Sequence, residues 1–278
     1  MAVMHPSEAT GNPERAVLTV SGLDLRFGGI TVINDLSFDV QGGSIHALIG
    51  PNGAGKTSVL NCISGFYVPQ NGTIEYEGQS LIGRRPDRIA ALNIARVFQN
   101  IELFPHLTVL ENVLIGRHRH MAYSHWESVL PFGRARREEI RHREAAEEVM
   151  ELLDLEAIRD TPVATLPYGL EKKVELGRAL AAEPDFLLLD EPFGGLNLEE
   201  KRDMARYVIE VSHLGKTILL IDHDVQVIAD ISDRITVLNY GHKIAEGTPQ
   251  EALSEPEVIE AYLGRQNVAA NGELAGSI

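Results

Sequence analysis

Two stretches of this sequence carry side chains suited to phosphate chemistry. The first, Gly50–Thr57, fits the phosphate-loop pattern of glycine, four variable residues, glycine, lysine and a hydroxyl residue. The apolar residues 45–49 before it predict a buried strand, and residues 58–64 after it predict a helix. In that setting, backbone N–H groups and the helix N-terminus converge on phosphate oxygens. The motif predicts that Lys56 reaches the β- and γ-phosphates and that the Thr57 hydroxyl holds Mg²⁺. The alternative is a chance glycine-rich turn, which the strand–loop–helix setting disfavours.

The second stretch, Phe186–Glu191, is a continuous apolar run that ends in the carboxylates Asp190 and Glu191. Continuous apolarity predicts a strand buried on both faces, as at the centre of a parallel sheet. Open α/β sheets bind ligands at the carboxyl ends of such strands, so the carboxylate pair is expected at the ligand site. The alternative is a pair of ordinary loop acids. A second buried strand is expected at Thr217–Ile221, which ends at Asp222-His223-Asp224.

Composition predicts a packed, soluble protein of a reducing compartment. The 278 residues suffice for one large domain or two small ones, and 44% are apolar against 23% charged. No apolar run approaches the roughly 18 residues that span a bilayer, and we expect no secretory signal. Cys62 is the only cysteine, and its mid-helix position favours a small buried hydrophobe over a reactive thiol. The net charge of −15 disfavours nucleic acid as a partner and disfavours general attraction to anionic lipid.

Alternating apolar residues predict an antiparallel sheet beside the nucleotide-binding core. The alternation runs from Ala16 to Val40, with a turn at Gly28-Gly29. Further expected strands are 73–78, 94–98 and a hairpin of 234–238 with 242–246. Expected helices are one that opens with a capping box at Thr108–Glu111, a mostly helical segment from 116 to about 160, one that runs through Ala182, 198–213, and 249–263.

An arginine-rich segment lies within the predicted helical stretch. Between Arg117 and Arg143 there are seven arginines and three glutamates, and the segment also holds Trp126 and Phe132. One interpretation is a solvated helical face. The other is a face near a partner protein or lipid headgroups.

With these motifs, the chain resembles the ATP-binding cassette (ABC) subunits of membrane transporters, over about residues 16–265. The motifs that carry the resemblance occur in the family's order. They are the phosphate loop Gly50–Thr57, the Gln99 loop, the signature turn Leu166–Leu170, the Walker B strand Phe186–Glu191, the loop Gly194–Asn197 and the switch residue His223.

The resemblance implies an α/β fold. It consists of a P-loop NTPase core with a mainly parallel sheet, an N-terminal antiparallel β subdomain and a helical signature subdomain at about 100–182. We expect disordered tails at 1–15 and 266–278 on either side of the ATPase domain at 16–265.

The resemblance also implies residue roles with ATP and Mg²⁺. Glu191 acts as general base, His223 contacts the γ-phosphate, and Gln99 contacts the metal and water region. Thr57, Gln99 and Asp190 position Mg²⁺. An aromatic at the end of an early strand, Phe27, stacks on the base, although an ordinary core phenylalanine is the alternative. The nucleotide is held by Phe27, Gly50, Pro51, Asn52, Gly53, Ala54, Gly55, Lys56, Thr57 and Ser58, and by Gly169 acting on the nucleotide of a second ATPase.

The chain departs from the family's usual pattern at three positions. Pro167 stands where serine is expected in the signature, Leu170 where a polar residue is usual, and Asn197 where aspartate is usual. Losing one charged hydrogen bond would cost roughly 1.5–3 kcal/mol, so we expect this turn to bind a phosphate more weakly than the usual signature does. A scaffold that binds nucleotide but hydrolyses it poorly is therefore a variant of the main hypothesis.

Within the family, the chain looks like the longer ATPase of branched-chain amino acid importers. The features are the long helical segment after Gln99, a tyrosine third in the signature, and the ending Glu246–Pro249 with Val258–Gly264. The resemblance implies two permease subunits, a second ATPase that is identical or a paralogue, a periplasmic binding protein, and a place on the cytoplasmic face of the bacterial inner membrane. The alternatives are the ATPase of an exporter or lipid-extraction complex, and a soluble mechanical ATPase of translation or DNA repair.

Overall fold

The computed structural model describes residues 16–120 and 134–262. Both predicted tails lie wholly outside these residues, as do Trp126 and Phe132 of the arginine-rich segment. The described chain divides into two compact units. We call Asn93–Lys216 the signature unit, and the described residues up to Leu92 and from Thr217 onward the phosphate-loop unit.

Strands and helices alternate along most of the chain. The strands are β1 (Ala16–Phe27), β2 (Ile30–Gln41), β3 (Ile45–Ile49), β4 (Asn71–Tyr76), β5 (Gln79–Ser80), β6 (Ile94–Val97), β7 (Phe186–Asp190), β8 (Thr217–Ile221), β9 (Arg234–Asn239) and β10 (His242–Gly247). The α-helices are α1 (Lys56–Ile63), α2 (Pro86–Ala90), α3 (Val109–Gly116), α4 (Arg134–Leu152), α5 (Tyr168–Leu180), α6 (Leu198–His213), α7 (Val225–Ile231) and α8 (Pro249–Ser254). Short 3-10 turns occur at Arg117–His120, Glu156–Ile158 and Val163–Thr165.

The phosphate-loop unit contains the predicted antiparallel sheet. Its strand order is β2-β1-β4-β5, and Leu18 of β1 lies opposite Val40 on one side and Tyr76 on the other. The alternate residues Leu18, Val20, Leu23 and Leu25 are buried. Since one face of such a sheet packs on a core while the other meets solvent, the period of two in the sequence identified this sheet correctly.

The same unit carries the strand that leads into the phosphate loop. β3 pairs in parallel with both β8 and β9, and β10 returns antiparallel to β9 as the predicted hairpin. Every residue of β3 and of β8 is buried. Apolar side chains on both faces of these strands are thereby removed from water, which fixes the position of the loop at the end of β3.

In the signature unit, β6 pairs in parallel with β7 over Ile94–Val97. The capping box predicted at Thr108–Glu111 is present. The Thr108 hydroxyl accepts from the N–H of Glu111, and the Glu111 carboxylate accepts from the N–H of Thr108, so α3 begins here. α6 has the predicted bounds. The predicted α/β class is confirmed by these strands and helices.

Several elements differ from the sequence-based expectation. α5 ends at Leu180 rather than Ala182, and the expected tail helix is broken at Glu255 into α8 and a second helical stretch at 256–262. β5, α2 and α7 were not anticipated, because two to seven residues are too few to establish a periodic pattern. Among the described helices, none combines the length and the apolarity needed to cross a bilayer.

Candidate nucleotide-binding site

Three glycines shape the loop between β3 and α1. Gly50, Gly53 and Gly55 have φ values of 148°, 81° and 104°, a region that side-chain-bearing residues rarely adopt. A Cβ on Gly50 would collide with the main-chain oxygen of Leu238, and a Cβ on Gly55 would lie 2.7 Å from that of Val32. The glycines therefore supply both the curl of the loop and its close approach to neighbouring backbone.

The loop is closed internally by hydrogen bonds. The N–H of Ala54 donates to the carbonyl of Pro51 at 3.1 Å, and the N–H of Gly241 donates to the carbonyl of Ala54 at 3.0 Å. Lys56 is 7% exposed, and its Nζ donates to the carbonyls of Gly50 and Pro51 at 2.7 and 3.1 Å. The ammonium group is thus held across the curl formed by the loop.

Helix α1 begins directly at the loop. Its N-cap is Gly55, which has no side chain to accept from the first-turn N–H groups, and its first turn holds Lys56, Thr57 and Ser58. The first-turn N–H groups of a helix and the helix dipole favour an anion at this position. Thr57 is exposed and Ser58 is partly exposed, so both hydroxyl groups can be reached by a ligand.

Phe27 lies at the end of β1 with 47% of its surface exposed. This finding excludes the alternative of an ordinary core phenylalanine. Its ring meets Tyr67 edge-to-face, with 5.0 Å between the ring centroids. No local pattern in the sequence marks Tyr67, which is partly exposed and forms with Phe27 an aromatic surface suited to stacking on a flat base.

Asp190 ends strand β7 and is almost fully buried. Its Oδ2 accepts a hydrogen bond from Arg96 at 2.8 Å, and both side chains are shielded from solvent. Its other oxygen, Oδ1, is buried without a hydrogen-bond partner among the described residues. A buried carboxylate oxygen left in this state fits a cation or a cation-bound water. Nothing in the sequence of strand β6 marks Arg96 as a partner of Asp190.

Glu191 follows Asp190 in a left-handed conformation, with φ of 54°. Its Oε2 accepts from Nε2 of Gln99 at 2.9 Å, so two residues predicted from separate motifs are in direct contact. Its main-chain oxygen accepts from Nζ of Lys172 at 2.7 Å and from the N–H of Gly194 at 3.2 Å. No local pattern in the sequence marks Lys172, but the residue is buried.

His223 is exposed and follows the fully buried Asp222. The carboxylate of Asp222 accepts from the backbone N–H groups of His223 and Asp224 at 2.7 and 3.1 Å, and lies 3.5 Å from the His223 Nδ1. The turn after β8 is therefore fixed by Asp222, while the His223 imidazole faces solvent.

The signature turn begins helix α5. Pro167 occupies the N-cap without a side-chain hydrogen bond, and Gly169 lies buried against the carboxylate of Glu200. Asn197 caps α6 by accepting from the N–H groups of Glu199 and Glu200 at 2.9 and 3.0 Å. An amide oxygen at residue 197 thus serves the capping role that an aspartate would serve. We find no structural role for the substitution at Leu170.

Each unit holds part of the predicted residue set. Phe27, the phosphate loop and His223 belong to the phosphate-loop unit, whereas Gln99, Gly169, Asp190 and Glu191 belong to the signature unit. Within residues 16–120 and 134–262, no cluster of three or more histidine, cysteine or acidic side chains could hold a metal by itself. Mg²⁺ commonly uses one or two carboxylates together with water and phosphate oxygens, and Asp190 is a carboxylate of the signature unit that suits this role.

Three buried groups near these elements have shifted pKa values. Burial lowers the pKa of His46, in β3, to about 3, and its ring nitrogen Nε2 pairs with the Thr236 hydroxyl at 2.9 Å. Burial raises the pKa of Glu175, in α5, to about 7, although Arg178 and Lys172 partly offset the effect. Burial also raises the pKa of the Cys62 thiol to about 12, which agrees with its interpretation as a buried hydrophobe.

Comparison with known proteins identifies the family to which the chain belongs. The family model described as ABC transporter matches residues 33–194. A second model, described as branched-chain amino acid ATP-binding cassette transporter, matches residues 242–266, the stretch that contains the distinctive ending noted in the sequence. The chain belongs to the ABC transporter family, whose ATP-binding subunits hydrolyse ATP, and the resemblance inferred from its motifs is confirmed.

The chain is also similar to individual ABC proteins. The chain is 38% identical to the high-affinity branched-chain amino acid transport ATP-binding protein BraF of Pseudomonas aeruginosa, over 90% of this chain and 98% of the relative. It is 39% identical to LivG of Salmonella typhimurium, which carries the same description, over 89% and 98%. A crystal structure of a nucleotide-free ATP-binding cassette from an ABC transporter matches with a TM-score of 0.78 at 30% identity, covering 89% of this chain and 99% of that one.

Proposed function

We propose that this chain is the energy-coupling ATPase of a bacterial importer for branched-chain amino acids or related small polar solutes. The observation that carries the proposal is the match of residues 242–266 to the branched-chain amino acid transporter model. The relatives named above, at 38% and 39% identity across most of the chain, carry the same description. The phosphate loop and the Gln99–Glu191 contact supply the groups that hydrolysis requires.

The chemistry follows from the residues. Lys56 and the loop N–H groups bind the phosphate oxygens of ATP. Glu191 accepts a proton from water as the water oxygen attacks the γ-phosphorus, and the bond to the β–γ bridging oxygen breaks to release ADP. The Gln99 amide, 2.9 Å from the Glu191 carboxylate, orients that base. His223 contacts the γ-phosphate, and Phe27 stacks on the base.

Thr57, Asp190 and Gln99 would hold Mg²⁺ with the nucleotide. When bound there, the ion would supply positive charge that offsets the negative charge of the phosphate oxygens. The support for this assignment is the buried Oδ1 of Asp190, which has no hydrogen-bond partner in the described part of the chain.

The working assembly is a head-to-tail pair of ATPases attached to two permease subunits on the cytoplasmic face of the inner membrane. The second ATPase is an identical copy or a paralogue, and a periplasmic binding protein delivers the solute to the permeases. Each nucleotide then lies between the phosphate loop of one ATPase and the Gly169 turn of the other. ATP binding closes the pair, the permeases respond to closure, and hydrolysis resets the assembly.

Glu191→Gln tests the hydrolytic part. We expect steady-state ATP turnover of the full-length chain to fall about 100-fold or more, because the amide cannot accept the proton, while Mg-ATP affinity changes little. Glu183→Gln provides a matched control, since that carboxylate pairs with Arg117 in the structure. Turnover of Glu191→Gln close to wild type would remove Glu191 from the role of general base.

Uptake of radiolabelled leucine tests the import part. In cells of the source bacterium that lack this gene, the wild-type gene should restore leucine uptake and the Glu191→Gln gene should not. Uptake of spermidine measured in parallel serves as the control for a general defect. Leucine uptake that does not depend on the gene would reject branched-chain amino acids as the solute but leave the ATPase assignment intact.

A further inference from the structure

Lys172 is a buried lysine on the signature helix. It is the fifth residue of α5 and 4% exposed, and its Nζ donates to the main-chain oxygen of Glu191 at 2.7 Å. Burying an ammonium group is unfavourable unless the group is hydrogen-bonded or paired. The bond to Glu191 therefore compensates a substantial desolvation and indicates a defined position for both residues.

The residue that Lys172 contacts has a backbone conformation that needs support. The φ of Glu191 is 54°, and a side-chain-bearing residue loses roughly 1–2 kcal/mol in the left-handed region. Its carbonyl accepts from Lys172 and from the N–H of Gly194, and its carboxylate accepts from Gln99. Main chain and side chain of Glu191 are thus held by different partners, and Lys172 is the one that carries a full charge.

The surroundings fix the lysine side chain. A cavity of about 10 Å³, room for roughly one water, is lined by residues of β6, α5, β7 and α6 that include Lys172 and Glu175. The ammonium group also lies 5.7 Å from the ring centroid of Tyr168, the first residue of α5. Lys172 therefore contacts the start of the signature helix and the turn after β7 at once.

We propose that Lys172 is a positioning residue for ATP hydrolysis, which holds Glu191 in its left-handed turn and links that turn to the signature turn of the same subunit. The inference rests on the proposed role of Glu191 as general base. In a head-to-tail pair, Glu191 serves the nucleotide of its own subunit while Gly169 serves the other nucleotide. Lys172 then couples the contact of the Gly169 turn with one nucleotide to the position of Glu191, the base that acts on the other nucleotide.

The test compares two adjacent lysines in the full-length chain. Lys172→Met removes the donor to Glu191, whereas Lys173→Met removes a lysine that donates to the Tyr207 hydroxyl at 2.8 Å. Misplacement of a catalytic group by about 1 Å can lower the rate about 100-fold. We expect kcat of Lys172→Met to fall about 10- to 100-fold with KM for ATP and Mg-ATP affinity within about 2-fold of wild type, and kcat of Lys173→Met to stay within about 2-fold.

Further variants separate positioning from a general loss of structure. Lys172→Arg keeps the charge and donor and should recover part of kcat. Lys172→Gln keeps a donor without the charge, and its kcat should fall at least about 3-fold. This variant replaces Lys172→Met if the methionine chain fails to fold. In a Glu191→Gln background, Lys172→Met should lower the residual rate no further, since both changes act on the same group.

Three outcomes would overturn the inference. They are a kcat of Lys172→Met equal to that of Lys173→Met, a fall in kcat matched by an equal loss of ATP affinity, and an additive loss in the Glu191→Gln background. If Glu191→Gln alone retains wild-type turnover, the proposed role of Glu191 fails and this inference fails with it. If Glu191→Gln is inactive but Lys172→Met is normal, only this inference fails.

Discussion

The turn after β3 and the turn after β7 both place functional groups with a left-handed backbone, but they stabilise it differently. In the phosphate loop, the residues at positive φ are the glycines Gly50, Gly53 and Gly55. After β7, the residue at φ 54° is Glu191, which bears the side chain that the chemistry needs. A glycine at residue 191 would lack the carboxylate, so the left-handed conformation depends on hydrogen bonds from Lys172, Gln99 and Gly194. One turn is specified by local composition and the other by tertiary contacts.

The two regions also differ in how they respond to pH. His46, in the strand that leads to the phosphate loop, is buried as the neutral imidazole. Glu175, beside Lys172 in the signature unit, is buried as a carboxyl group with a raised pKa. The strand before the phosphate loop is therefore expected to lose stability in acid, and the support of the Glu191 turn is expected to lose stability in base.

The largest expected effect comes from adding a methyl group to the phosphate loop. Gly50→Ala combines an unfavourable φ with a collision against the Leu238 oxygen, whereas Gly53→Ala has the unfavourable φ but open space around its Cβ. We expect Gly50→Ala to lower the free energy of unfolding by about 4 kcal/mol and Gly53→Ala by about 1 kcal/mol. Urea denaturation without nucleotide measures both. Equal losses would mean that close backbone approach does not shape this loop.

Glu175→Gln tests the pH response of the signature unit. The folded pKa of about 7 lies above the unfolded value of 4.5, so this carboxyl contributes stability at low pH that is lost as pH rises through 7. Between pH 5 and 8 the wild type should lose about 2–3 kcal/mol more than the variant. Arg178, Lys172 and the backbone of Glu102 face the carboxyl group and are unchanged in both chains. Parallel pH profiles from denaturation would contradict a raised pKa.

His46→Gln tests the opposite sign in the phosphate-loop unit. The folded pKa of about 3 lies below the unfolded value of 6.5, so the neutral imidazole contributes stability above pH 6.5 that is lost as pH falls. Between pH 7.5 and 5 the wild type should lose about 2 kcal/mol that the variant does not lose. Arg234, Asp39 and Lys243 act on this group and are present in both chains. A variant with the same acid sensitivity as wild type would rule out His46 as its source.

The difference between turns specified by local composition and turns specified by tertiary contacts also explains which features could be predicted from the sequence. The glycine spacing of Gly50–Thr57, the apolar runs of β3, β7 and β8, and the capping box at Thr108 are local signals that identify their own structure. The bonds that join Lys172 to Glu191 and Arg96 to Asp190 span 19 and 94 residues, and neither side chain carries a local mark of burial. A lysine between two glutamates in a helix has the pattern of a solvated face, and only the packing of α5 removes it from water.

The φ angle of Glu191 in a crystal structure of the Lys172→Met chain shows most directly whether tertiary contacts hold the turn after β7. If tertiary contacts hold this turn, Glu191 leaves the left-handed region once the lysine donor is gone, and the bond from Gln99 to its carboxylate is lost. A Glu191 that keeps φ near 54° with the Gln99 contact intact would contradict the claim that the turn depends on Lys172.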